Sequence, residues 1–149
     1  MGEPFRRMHV IYSDDLRYEI GGKLSYIGVY AAEMLCQSFP ITLPKLAVSA
    51  IVTTDIDQPF EWLTFRAFLE NEGGEQTVLA EANIPHEALA AQHTEERPAL
   101  RFRPLKTITA AINFEFPGLT LMERQVLRVC AECESGTIWG PGLTIAVSD

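Results

Sequence analysis

From residue 46 to residue 53 the chain reads Leu-Ala-Val-Ser-Ala-Ile-Val-Thr, and a period of two like this one recurs through most of the 149 residues. Side chains alternate sides along a strand and recur at three and four on a helix, so this spacing commits the chain to a mainly β fold. Gly, Pro, Asn and Asp punctuate the alternating runs at short intervals. Residues 8–12 and 23–30 predict two strands joined through Gly21-Gly22, where glycine supplies a turn at no steric cost. Residues 46–53 are apolar on one face and nearly so on the other, which predicts a central strand. Residues 62–70 and 78–82 form a hairpin about Asn71-Glu72-Gly73-Gly74.

The second half continues the pattern. Residues 105–116 predict a strand closed by Pro117-Gly118, residues 125–134 and 137–139 a hairpin about Ser135-Gly136, and residues 143–147 a last strand after Gly140-Pro141-Gly142. Phe39-Pro40 and Leu43-Pro44 predict a crossing loop, because proline lacks the donor that a central strand needs. Residues 85–96, rich in Ala, Glu, Gln and His and followed by Pro98, predict a short helix or helical loop. The expected fold is a single-domain antiparallel β-sandwich over residues 1–149, with seven or eight strands and one short helix. A small β-barrel is the alternative.

Composition narrows the function classes. A chain this long buries roughly 68–70% of its unfolded surface, so neither a metal nor a disulfide is needed to hold it together. Twenty acidic residues against twelve basic give a net charge of −8, a field that repels polyanions, so no direct nucleic-acid binding is expected. No apolar run approaches the ~20 residues of a membrane helix, and Met-Gly-Glu-Pro-Phe-Arg-Arg does not read as a secretory signal. A cytoplasmic protein without membrane association is the expectation.

Motif chemistry is sparse. Cys36, Cys130 and Cys133 make an odd count that reads as reduced thiols, and the two sulfurs of Cys130-Ala-Glu-Cys133 point to opposite faces of a strand. Asp55 and Asp57 are too few for calcium, which takes six to eight oxygens. His86 and His93 lack an H-E-x-x-H pattern, and neither a G-x-S-x-G elbow nor a phosphate loop occurs. No catalytic residue, metal or cofactor is assigned.

The densest ionisable segment is Asp14-Asp15-Leu16-Arg17-Tyr18-Glu19, followed by Lys23. In an extended strand Asp15, Arg17 and Glu19 share a face at about 7 Å spacing, so the arginine keeps both carboxylates ionised and opposes a general-acid role. Tyr18, Tyr26, Tyr30 and Trp62 join this segment as interaction candidates, since tyrosine, tryptophan and arginine dominate binding hot spots. Together with Gly28, Phe39-Pro40 and Leu43-Pro44-Lys45-Leu46, the pattern Asp14-Asp15-x-Arg17-x-Glu19-x-x-Gly22-Lys23 resembles the N-terminal signature of an uncharacterised family of small bacterial and phage-encoded proteins. The resemblance covers about a third of the chain. It implies a bacterial or phage setting and no particular activity.

Three functions fit these features. The first is a non-catalytic interaction module that binds a protein partner or itself, an accessory protein of bacterial or phage origin. The second is a carboxylate-dependent enzyme or carbohydrate-binding sandwich using Asp14, Asp15 and Glu19 beside a Tyr or Trp platform. The third is an acidic nucleic-acid mimic, which requires a stripe of carboxylates on one face. A concave pocket holding two of the carboxylates beside an aromatic face favours the second; a flat surface already neutralised by arginine favours the first.

Overall fold

The computed structural model describes residues 2–89 and 106–148. Within them the chain forms ten strands: β1 (Arg7–Tyr18), β2 (Leu24–Tyr30), β3 (Glu33–Cys36), β4 (Ile41–Asp55), β5 (Leu63–Asn71), β6 (Gln76–Ile84), β7 (Thr107–Leu121), β8 (Gln125–Cys133), β9 (Gly136–Trp139) and β10 (Leu143–Val147). They build two separate sheets and no closed barrel. One sheet has the order β2-β1-β4-β7; the other runs β3-β10-β8-β5-β6, with β9 also on β8. Every pairing is antiparallel except β3 with β10. The strand count exceeds the expected seven or eight, in part because four residues, as in β3, are too short for a period to be read.

The alternation sets the two facing layers. Leu46, Val48, Ala50 and Val52 on β4 are fully buried and meet Leu63 and Phe65 of β5, Leu127 and Val129 of β8, and Leu143 and Ile145 of β10 in one core. Burying each large aliphatic or aromatic side chain contributes about 1.5–3 kcal/mol. Gly140 lets the second sheet approach β1: a Cβ there would lie 2.8 Å from Met8 Sδ. Nearby, the buried Tyr12 hydroxyl donates to the Pro141 carbonyl at 2.6 Å.

Two expected breaks do not break the strands. Leu43-Pro44 lies inside β4 rather than in a crossing loop, and Pro117-Gly118 lies inside β7 rather than ending it. The ladder pairs Leu43 with Leu119 and Lys45 with Pro117, and skips Pro44 and the Gly118 opposite it. The missing donor of Pro44 therefore falls at a position that the ladder passes over, and Gly118 absorbs the irregularity with φ +62. The predicted helix begins as a helical turn at His86–Leu89, with Leu89 in the core. Residues 90–96 of that prediction, His93 included, lie outside the described residues.

Candidate functional site

β1 and β4 pair from Arg7↔Thr53 to Ser13↔Ala47 and no further, although both strands continue. Beyond that point β1 stays with β2 while β4 stays with β7, so the sheet forks. The fork is built by local chemistry. The Ser13 hydroxyl donates to the Asp15 carbonyl at 3.1 Å, and the Leu16 amide donates to the Asp15 carboxylate at 2.8 Å. These bonds satisfy backbone groups on β1 where its ladder with β4 has ended. On the facing strand Pro44 has no donor to satisfy. The result is a cleft of about 620 Å³ lined by Asp14, Asp15, Leu43, Pro44 and Lys45.

A three-strand charge array crosses the fork. Lys45 Nζ lies 2.8 Å from Asp15 on β1 and 2.6 Å from Glu115 on β7. The hydrogen bond from Lys45, reinforced by the Leu16 amide, holds the Asp15 carboxyl below its ordinary range, and the two carboxylates push the Lys45 ammonium above its own. Arg17 is two-thirds exposed and reaches Asp15 only at 4.0 Å. The ladder is thus Asp15-Lys45-Glu115 across strands, not Asp15-Arg17-Glu19 along one strand.

On the other face of β1, the Asp14 carboxylate lies across Gly28 and accepts a hydrogen bond from the Tyr30 hydroxyl. Gly28 is needed twice: its φ is +67, and a Cβ there would lie 2.9 Å from Asp14 Cγ. Burial, with a further push from Asp14, raises the Tyr30 phenol to about 12.

The nine candidates fall into four groups. Asp14, Tyr18, Tyr26 and Tyr30 share one face of the β1–β2 hairpin, as the pairs Leu16↔Tyr26 and Tyr12↔Tyr30 require. Asp15 and Arg17 occupy the opposite face. Glu19 and Lys23 close the turn, where the Glu19 amide donates to the Lys23 carbonyl. Trp62 is exposed but precedes β5 in the other sheet, beside Leu63, which pairs with Cys133. Cys133 accepts a hydrogen bond from Arg6, just ahead of β1, so Trp62 lies by the far end of that strand, roughly 20–40 Å from the hairpin residues. It does not belong to the same surface.

Sequence reasoning gave no role to two contributors, Lys45 and Glu115, which only strand register brings to Asp15. It also missed Arg6, whose side chain is 5% exposed. Its guanidinium donates to Thr54 Oγ1 at 3.0 Å, Ser135 Oγ at 2.9 Å, the Gln58 carbonyl at 3.1 Å and the Glu134 carboxylate at 2.6 Å, and it stacks over Phe60. Its donors are consumed by the fold, so this residue ties the end of β4 to the β8–β9 turn and offers nothing to a ligand. Cys130 and Cys133 are both buried and unpaired, on opposite faces of β8. Among the described residues no group of three His, Cys, Asp or Glu side chains is placed to hold a metal ion. No helix there is long and apolar enough to cross a membrane. Comparison with protein-family models and with curated proteins returns no match.

Proposed function

We propose that this protein is a non-catalytic interaction module that recognises a protein partner through the tip of the β1–β2 hairpin. The observation that carries the reading is the pairing of exposed apolar side chains with neutralised charge. Tyr18 is 67% and Ile20 94% exposed, while the neighbouring Asp15 is already engaged by Lys45. Large apolar groups held in water on a hydrogen-bonded hairpin are suited to burial against a partner. A carboxylate kept ionised by an ammonium is a poor proton donor. A cytoplasmic, bacterial or phage-borne accessory protein is the setting consistent with the hairpin signature, and the −8 net charge supports a protein rather than a nucleic-acid partner.

Affinity capture from a bacterial lysate with wild type, Ile20→Asp and Arg17→Glu tests the reading. A stoichiometric partner held by the wild type and lost from both variants supports it. Identical recoveries from all three sink it.

A carbohydrate-binding or carboxylate-dependent site is the second reading, favoured by the concavity of the fork, where Asp14 and Asp15 line one cleft beside Tyr30. Titration with a panel of neutral and amino sugars separates the two, since saturable binding abolished by Asp14→Asn would favour it. Nucleic-acid mimicry draws less support: Asp15, Glu70, Glu81, Glu115, Glu132 and Glu134 each pair with a Lys or Arg, which interrupts any run of free carboxylates.

A further inference from the structure

Three irregularities of the β1–β2 hairpin fall at one level. The β1–β4 ladder ends at Ser13↔Ala47. One residue on, the β1–β2 register steps from Ser13↔Val29 to Asp15↔Ile27 and passes over Asp14 and the Gly28 opposite it. Gly28 has φ +67, which takes β2 out of the regular strand conformation there. Two side-chain bonds span this level: the Ser13 hydroxyl donates to the Asp15 carbonyl, and the Tyr30 hydroxyl to the Asp14 carboxylate. Both strands are thus interrupted where the sheet forks, while pairing resumes from Asp15↔Ile27 to Tyr18↔Leu24.

We infer that residues 15–27 form an arm hinged at Asp14 and Gly28, with Lys45 as its latch. Among the described residues a single polar contact crosses the fork, from Lys45 Nζ to Asp15 at 2.8 Å, and both side chains are about a third exposed. The apolar half of the closure is Leu16, 4% exposed and separate from the main core cluster. Opening orphans neither charge. Lys45 keeps Glu115 at 2.6 Å on β7, and Asp15 keeps the Leu16 amide at 2.8 Å within the arm. Losing a partly exposed ion pair of this kind shifts an equilibrium only about two- to fivefold. The arm therefore swings away from β4 as a unit, with its own pairs intact and the β1–β4 ladder below Ser13 closed, the change in backbone angle falling on a few residues as in other hinges. Tyr18 and Ile20 ride on the arm, so the latch sets how the surface proposed for partner binding is presented. That use rests on the proposed function; the motion does not.

Methyl relaxation-dispersion NMR on the full chain tests it, since hinge motions fall in the microsecond to millisecond range that this measurement reads. Leu16, Leu24 and Ile27 are expected to show exchange with one shared rate, while Val48 and Val52, fully buried on β4, stay flat. Lys45→Met should raise the population of the open arm about two- to fivefold. Lys45→Arg, which keeps the charge and the reach, should return it towards the wild-type value. Flat profiles at the three arm residues in both wild type and Lys45→Met overturn the inference, as does a population that Lys45→Met leaves unmoved. Exchange shared with Val48 and Val52 overturns it too, because the whole sandwich would then be opening. None of these outcomes depends on a partner, and a failed capture through Ile20 leaves the dispersion result standing.

Discussion

Two residues carry more of this structure than their sequence context announces. Arg6 lies outside every strand, yet its buried guanidinium serves four segments at once. Replacing it with alanine leaves Glu134, a fifth exposed, and the Pro59 carbonyl without their donor, while the Gln58 carbonyl keeps only the Thr54 hydroxyl. The expected loss is roughly 2–3 kcal/mol, or about 4–12 °C in Tm for a chain of this size, measurable by calorimetry. Arg6→Lys should recover little, since an ammonium cannot reproduce the fork of donors. Asp14 acts on the ionisation of Tyr30. Asp14→Asn removes the negative charge that helps hold the phenol near 12, so an ultraviolet difference titration should show one tyrosine ionising at lower pH. It should not return fully to the ordinary value, because burial is the larger cause.

At the scale of elements, the fork between β1 and β4 depends on one ammonium serving two strands. Asp15 has its pKa lowered by folding, so its pairing stabilises the native state above the ordinary carboxylate pKa of 3.8 and is lost as pH falls through the lower folded value. Lys45 is the mirror case: its pKa is raised, and its contribution is complete below the ordinary 10.5 and lost as pH rises through the folded value. Lys45→Met should therefore lower stability most between these two limits, with the difference from wild type fading towards either pH extreme, and the Asp15 carboxyl should titrate closer to 3.8 by NMR. An unchanged Asp15 titration would contradict the role given to Lys45. This array was illegible beforehand for a physical reason. Period two says which face a residue takes, not which residue lies beside it across the sheet, and Asp15, Lys45 and Glu115 come from three strands whose register it leaves open. The same limit explains β4 and β7. Pro44 and Gly118 each read as a breaker alone, and only their position opposite one another lets both strands run through. The β5–β6 hairpin was legible because its Gly-Gly turn fixes the pairing locally, except for the register shift between Ala67 and Phe68, which the alternation does not announce.

Stability across the whole molecule is set by how each strand is held, and the three thiols report on it. β8 pairs with β5 along one edge and with β9 and β10 along the other, so exposing Cys130 or Cys133 requires much of the second sheet to open. β3 is a four-residue edge strand paired only with β10 among the described residues, the kind of element that opens locally at low cost. All three thiols are buried, and burial raises the pKa of Cys36 and Cys130, which suppresses the reactive thiolate in the closed state. Labelling must therefore proceed through opening, and its order follows the hierarchy of strand pairing. Under native conditions a thiol reagent followed by mass spectrometry should modify Cys36 first, at a rate insensitive to mild denaturant. Cys130 and Cys133 should follow together, with the steep denaturant dependence of global unfolding. Simultaneous labelling of all three would mean that β3 is no weaker than the centre of its sheet, and that the sandwich opens as one unit.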